Sequence, residues 1–306
     1  MVAGTRRIVR SDGAGDRAFD VLNTLLLVTI GLAIVIPVLN VVASSFSSSD
    51  HILAGDVTVY PRGFTLLSYE RIFRYKLVLS GFLNSLFYVT AGTSLNLVLT
   101  VFLAYPLSRK DLRGLAVIGI FVLIPMFFRG GIVPTFLVVN SLGLVNSRWA
   151  VILPAGLSIW NTIVARTYFA NLPQELTEAS EIDGCSDLRF LAQVVLPLSR
   201  PILAVLVLWY AIDHWNTYFN ALLYLFDESK FPLQLVLARI LIINESIIAQ
   251  AMAGGDIDIR TLMESTEILQ TLKFALIVVA SVPMMILYPF IQKHFAKGVM
   301  IGSIKG

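Results

Sequence analysis

Charge is what this sequence has least of. Asp, Glu, Lys and Arg make up 14% of its 306 residues, hydrophobic residues make up 57%, and the mean hydropathy is +0.79. Soluble domains carry about 25% charged residues, so an ordinary soluble protein is excluded and an all-α integral membrane protein is expected. The net charge is +3, but the basic residues are scattered between apolar runs, which excludes nucleic acid as a partner. The single cysteine, Cys185, rules out an intrachain disulfide or a multi-cysteine metal centre. His51, His214 and His294 lie too far apart for zinc spacing, so no metal is expected. No GxxxxGK[ST] loop occurs, so the chain does not itself hydrolyse ATP. No internal repeat is visible either, which leaves out the inverted repeats of many secondary transporters.

What is present is a series of apolar runs. The first, Val21 to Ala43, is uncharged. At about 1.5 Å per residue it is about 35 Å long, enough for a hydrocarbon core of roughly 30 Å. It lacks the small-residue cleavage pattern of a signal peptide and is expected to remain as an anchor, with Pro37 as its kink. Further spans are expected at Phe82–Leu107, Leu115–Val139, Trp149–Val164, Pro201–Phe226 and Phe274–Ile291, six in all. The third is interrupted by Pro125, Arg129, Gly130, Gly131 and Pro134, which predicts a bent helix. Irregular backbone at membrane depth needs protein or a water-filled cavity around it, so Arg129 is a candidate pathway residue; the other reading is a boundary marker.

The short loop after the second span carries Arg109, Lys110 and Arg113 and marks the cytoplasmic side. An even number of spans then places both termini there. The expected organisation is a cytoplasmic arm over residues 1–20, a six-span membrane domain over 21–291 and a cytoplasmic tail over 292–306. Within the domain, a cytoplasmic loop covers 171–200 and a polar outer loop covers 227–271.

The polar interruption from Glu175 to Pro201 carries the sharpest signal. Pro173 stands near a helix start and carboxylates fill the opening turns, where the helix dipole favours them. Gly184 interrupts the helix, and a second amphipathic run is expected to stop at Leu196 and Pro197. A helix lying on lipid would present a basic face. This one presents Glu175, Glu178, Glu181, Asp183 and Asp187 against Arg189 and Arg200, which suits a soluble protein with a basic-rimmed cleft.

Within the fifth span, Asp213 and His214 are intramembrane ionisable residues, which point by default to function. With Trp215, Asn216 and Tyr218 they are candidate pathway residues. Interhelical hydrogen bonding without any cargo is the competing reading. Adjacent positions point about 100° apart on a helix, so Asp213 and His214 do not face one partner.

The run Glu178, Ala179, Ser180, three residues, Gly184, nine residues, then Val194, Leu196 and Pro197 resembles the Glu-Ala-Ala pattern of the permease subunits of ATP-binding cassette importers. Ser180 replaces the second Ala and Val194 replaces Ile. The segments HWNTYFNALLYL and YPFIQKHFAKGVMIGSIKG are similar to sugar permeases of the maltose-transporter type, and to the polysaccharide and lipoprotein permease group within them. That resemblance implies a bacterial cytoplasmic-membrane subunit paired with a second permease, an ATPase dimer and an extracytoplasmic solute-binding protein that delivers an oligosaccharide. ATP and Mg would be bound by the ATPase, with no cofactor on this chain. By the same resemblance, Glu178, Ala179, Ser180, Gly184, Leu196 and Pro197 would dock the ATPase, and the tail carrying Gly298, Gly302 and Lys305 would reach towards the same interface; a frayed end is the alternative for the tail. A non-sugar cargo, or an ion-coupled transporter using Asp213 or His214, are the rival functions.

Overall fold

The computed structural model describes residues 14–112, 114–128, 130–254, 258–267 and 271–302, with side chains from Gly15 to Pro289. Among them every regular element is helical. The chain begins with α1 (Ala14–Ser45), α2 (Ser49–Ala54), α3 (Leu67–Arg74) and α4 (Lys76–Ser108). It continues through α5 (Leu115–Phe127), α6 (Ile132–Ser141), α7 (Arg148–Ile152) and α8 (Ile159–Ala170). A polar segment follows as α9 (Gln174–Ile182), α10 (Asp187–Phe190), a π-helical turn Leu191–Val195 and α11 (Leu196–Leu198). The last part comprises α12 (Arg200–Trp215), α13 (Phe219–Tyr224), α14 (Leu233–Met252), α15 (Ile259–Glu267) and α16 (Lys273–Gly302).

Three helices are each long and apolar enough to cross a membrane, namely Gly15–Ser45, Lys76–Ser108 and Leu233–Met252. Three further candidates are bent pairs: α5 with α6 at 112°, α7 with α8 at 52°, and Asp187–Leu198 with α12 at 84°. The expected interruption of the third run is present, since Pro125 lies near the end of α5 and Gly131 takes φ +82. Arg129 and Arg113 lie outside the described residues.

Several boundaries differ from the sequence reading. Helix α1 starts at Ala14, inside the arm expected over 1–20, with Asp16 in its dipole-favoured first turn; residues 1–13 lie outside the described residues. The fifth run, expected to Phe226, stops at Trp215 and resumes as the separate α13. The stretch expected as a polar outer loop contains the 20-residue α14. Within it Arg239 sets its guanidinium over the Phe231 ring at 4.5 Å and pairs with Glu228 at 3.2 Å. The tail expected from residue 292 continues the backbone of α16 as far as Gly302.

Helix α4 is the column on which the rest is assembled. Its 33 residues span about 50 Å, longer than a hydrocarbon core. At its first third, Asn84 Nδ2 donates to the carbonyls of Ser229 (2.7 Å) and Phe231 (3.0 Å). Tyr88 donates to Lys230 O at 2.8 Å, and the Leu233 amide donates to Ser85 Oγ at 2.8 Å. These polar groups are consumed by backbone that would otherwise lie unsatisfied where α14 begins. One apolar cluster surrounds that end, with Trp215, Phe231, Leu233 and Leu276 buried beside Tyr88. A second surrounds the other end, where Val101, Ala104 and Tyr105 meet Phe169, Phe190, Leu191, Leu206 and Tyr210. Between them Thr100 Oγ1 and Tyr210 OH share a buried hydrogen bond of 2.6 Å. By contrast, the apolar window of α1 is wholly unburied within this chain, so lipid or another subunit must cover it.

Helices α4 and α12 approach most closely at Gly92, where a Cβ would overlap the His214 imidazole. That ring is buried, and its Nε2 faces Asn96 Oδ1 at 3.4 Å. A Gly92→Val change overpacks this crossing and is expected to cost about 1–3 kcal/mol. Thermal unfolding of the detergent-solubilised protein should show a lowered midpoint, partly restored by adding His214→Ala. An unchanged midpoint for Gly92→Val would contradict the close crossing.

Candidate functional site

The segment from Pro173 to Ser199 is built as helix, bend, helix, corner. Pro173 stands at the N-cap of α9 with φ −55, and Glu175 occupies the first turn. At the far end Gly184 takes φ +65, a conformation open to glycine and strained by a Cβ. The Gly184 amide donates to Glu181 O at 3.1 Å and the Cys185 amide to Ser180 O at 2.9 Å, the paired bonds of a Schellman cap. A new helix starts at Asp187 behind Ser186 in extended conformation.

Pro197 does not end this second helix, as the sequence suggested; the chain turns two residues later. The reason is local. A proline inside a helix lacks its N–H and crowds the preceding turn, and here that turn is already opened into the π-helical Leu191–Val195. Ser199 then closes the corner, its amide bonded to Val195 O at 2.9 Å, and α12 leaves at 84° with Pro201 in its first turn.

Burial divides the segment into two faces. Phe190, Leu191 and Val195 are buried in the apolar cluster at the end of α4, with Leu196 packed against it. Glu178, Ala179, Gly184 and Pro197 are exposed, and Ser180 is half-buried with its hydroxyl donating to Thr177 O at 2.7 Å. Glu178 accepts from Gln174 Nε2 at 3.2 Å. Ile182, 87% exposed, and Leu188, 67% exposed, flank the bend. These two side chains at a glycine bend, rimmed by carboxylates, give this end of the chain a mixed apolar and acidic face. The sequence reading rested on the acidic residues and on the Glu-Ala-Ala likeness, neither of which includes these two.

Arg109, at the C-cap of α4, fastens the segment in place. It is 18% exposed and reaches Asp111 through Nε and Nη2, both at 2.8 Å. It also reaches Asp187 at 3.1 Å and Glu181 at 3.4 Å, and its Nη1 donates to Tyr105 OH at 3.3 Å. Hydrogen bonding to Asp111 raises the Arg109 pKa, and the same bonds hold the Asp111 carboxyl below its ordinary value. The carboxylates are well exposed, so each pair contributes about 0.2–1 kcal/mol; the gain is a fixed position for α9 and α10. The sequence marked Arg109 as a sidedness signal. Its partners on α9 and α10 stand more than seventy positions away in the chain, so its fastening role was not legible there.

The candidate pathway residues do not form one cluster. His214 and Trp215 are buried; the Trp215 indole donates to Ala280 O at 2.9 Å and meets Phe82 edge to face at 5.8 Å. Asn216 and Tyr218 line a cleft of ≈ 920 Å³ between the ends of α12, α14 and α16, together with Gln234, Met284 and Tyr288. Asp213 faces a different cavity beside α8. Gly298 and Gly302 are carried on the backbone of the last turns of α16, and Lys305 lies outside the described residues.

Residues 96–301 match the family described as the inner membrane component of binding-protein-dependent transport systems. The polygalacturonan/rhamnogalacturonan transport system permease protein of Bacillus subtilis is 40% identical over 95% of this chain and 99% of that protein. The arabinooligosaccharides transport system permease protein of Halalkalibacterium halodurans is 30% identical over 92% and 96%. A crystal structure of a bacterial ABC transporter that imports the acidic polysaccharide alginate contains a chain that superposes with a TM-score of 0.82 at 31% identity, covering 92% of this chain and 98% of that one.

Replacing Arg109 by Gln should free the segment. Amides over residues 174–190 are expected to exchange about three- to tenfold faster in the Arg109→Gln protein. The lowered Asp111 pKa gives its share of the fastening above about pH 4 and loses it only as pH falls through the folded value, so the two proteins should converge in strong acid. Equal exchange at neutral pH would rule out the fastening.

Proposed function

Because the chain belongs to the family of inner membrane components of binding-protein-dependent transport systems, we propose that it forms half of the membrane pathway of a bacterial importer for oligosaccharides. A second permease forms the other half, a solute-binding protein delivers the cargo, and a separate ATPase dimer binds ATP and Mg and supplies the work. The similarity to permeases named for pectic and arabinan fragments, and to an alginate importer, supports a sugar as cargo. Family membership also argues against the ion-coupled alternative built on Asp213 or His214 and against a catalytic role for the chain.

The observation that carries this reading is the presentation of Pro173–Ser199 at one end of the bundle, with an exposed glycine bend and a buried underside welded to α4, α8 and α12. Glu178 makes a charged contact to the ATPase, Ala179 and Ser180 allow close approach, and Gly184 supplies the bend. The short basic loop beside the segment supports a cytoplasmic position for it, with six spans and both termini on that side. Closure of the ATPase pair pushes α9 and α10, the π-helical turn passes the displacement to α12, and the membrane helices rock between outward and inward access.

In vesicles reconstituted with the partner subunits, Glu178→Lys and Gly184→Pro should each lower ATP-driven uptake at least about tenfold, because one reverses an interface charge and the other cannot adopt the positive φ. Uptake by both variants at the native rate, with the ATPase still bound, would refute the docking role.

A further inference from the structure

At the end of α4 opposite the docking segment, Arg74 and Lys76 lack a counter-charge. Between the end of α1 and the start of α4 the basic residues are Arg62, Arg71, Arg74 and Lys76. Arg62 pairs with Asp56 at 3.2 Å, and Arg71 pairs with Glu267. The exposed side chains of Arg74 and Lys76 make no ion pair or hydrogen bond among the described residues, and Glu70, one turn before Arg74 on α3, does not reach it. Lys76 also opens α4 at the helix end that favours anions, and the first turn there carries no acid. With Pro173–Ser199 in the cytoplasm, as proposed, both cations lie on the outer side, where short loops are depleted of Lys and Arg. Cations left uncompensated in that position call for an anion from outside the chain.

The apolar groups around them place that anion at a membrane surface. Leu79, Leu83 and Leu86 are exposed along one face of α4. Tyr75, 43% exposed and four residues before Leu79, extends this stripe outward, and Phe73, 61% exposed, stands on the other side of Arg74. From Phe73 to Leu77 the chain therefore alternates apolar and cationic side chains, all exposed, where α3 ends and α4 begins, with Tyr75 in extended conformation between the two helices. Aromatic rings settle at the headgroup level of a bilayer, while Arg and Lys lay their stems on apolar surface and raise their charges to the phosphates. An acidic soluble protein would meet the cations but leave the leucine stripe below them uncovered. A phospholipid covers both.

A zwitterionic headgroup offsets its phosphate with its own ammonium, whereas phosphatidylglycerol keeps a net negative charge for the protein to meet. We propose that Phe73–Leu77 is a binding site for the headgroup of one anionic phospholipid of the outer leaflet, with Arg74 and Lys76 on the phosphate and Phe73 and Tyr75 against the glycerol region. The bound lipid fixes the depth of a wider outer layer. Tyr69 of α3 shares a hydrogen bond of 2.7 Å with Ser45 at the end of α1, and Arg71 of α3 holds Glu267 at the end of α15. Anchoring the α3–α4 junction thereby sets α1, α3 and α15 at one level. The site needs the chain to span the membrane with this end outside, and it needs neither the cargo nor the ATPase.

The test takes the assembled importer from nanodiscs of equal parts phosphatidylglycerol and phosphatidylcholine and counts retained lipids by native mass spectrometry. The native complex should hold at least one more phosphatidylglycerol than the variant carrying both Arg74→Gln and Lys76→Gln, with phosphatidylcholine unchanged. Each single substitution should weaken retention about fivefold, and Arg74→Lys should preserve it. Equal phosphatidylglycerol retention by native and doubly substituted complexes would overturn the proposal. Loss of the second permease from the double variant, with phosphatidylglycerol retention unchanged, would overturn it in favour of a subunit contact. Should the double variant not assemble, the thermal midpoint of the native complex and of each single variant is followed as phosphatidylglycerol replaces phosphatidylcholine. The midpoint should rise saturably, with each single variant needing about fivefold more phosphatidylglycerol, and an indifferent native midpoint would refute the site. In proteoliposomes with phosphatidylglycerol confined to the docking-side leaflet the stabilisation should vanish; its persistence would refute the outer placement. These readouts require no transport, so uptake that ignores the Glu178 and Gly184 variants would sink the importer mechanism and leave the lipid site standing.

Discussion

The attachment of Pro173–Ser199, the proposed docking surface, to the end of α4 is the constraint on which this structure depends, since a surface can transmit force only to what it is fixed to. Two kinds of bond share the task. The underside is apolar: Phe190, Leu191 and Val195 are buried against Val101, Ala104 and Tyr105. At about 1.5–3 kcal/mol for each large side chain buried, this contact outweighs the ion pairs beside it. Arg109 adds direction instead, because one planar guanidinium meets carboxylates from its own loop, from α9 and from α10. Hydrophobic burial keeps the segment on the bundle, and the guanidinium sets its rotation.

The same constraint accounts for the irregular backbone. A straight helix from Asp187 through Trp215 would carry the proposed docking segment along the axis of α12. The 84° corner at Ser199 prevents that, and the π-helical turn before it lets Pro197 sit inside a helix without ending it. Elsewhere the breaks serve a different purpose. At the interruption between α7 and α8, Asn96 Nδ2 donates to Ala155 O at 2.8 Å and Ser158 caps the second helix. Freed backbone is thereby satisfied at a depth where water is scarce.

How much of this was legible in the sequence follows from the range of the interactions. Local rules located the glycine bend at Gly184, the start of α9 at Pro173 and the broken third run, because each is decided by neighbours within a turn. They failed where a partner from far along the chain decides. The polar composition of 227–271 hid α14, although its Arg239 is held over Phe231. Pro197 read as a stop because the π turn is a tertiary compromise. Adjacency did separate Asp213 from His214, as the helix period requires: one lines a cavity and the other is packed on Gly92 of α4. The likeness of 178–197 to a known docking pattern singles out the segment proposed to dock, while Ile182 and Leu188, which a charge-based reading passes over, give its face an apolar component.

Helix α4 links the two ends of this arrangement. Its last turn holds the docking segment, and its first third holds the backbone of 229–233, from which α14 departs. Helices bend gently but do not shorten, and a packed column passes displacement along its length because its interior has few voids to absorb it. A tilt imposed at Arg109 therefore reappears, with opposite sense, near Asn84. Gly92 lies between, where α12 crosses closely enough that His214 occupies the space of a side chain. The crossing thus has the position and the tightness of a pivot. Docking at one end and rearrangement at the other need no chain of small adjustments between them; a rigid helix and one close contact are enough.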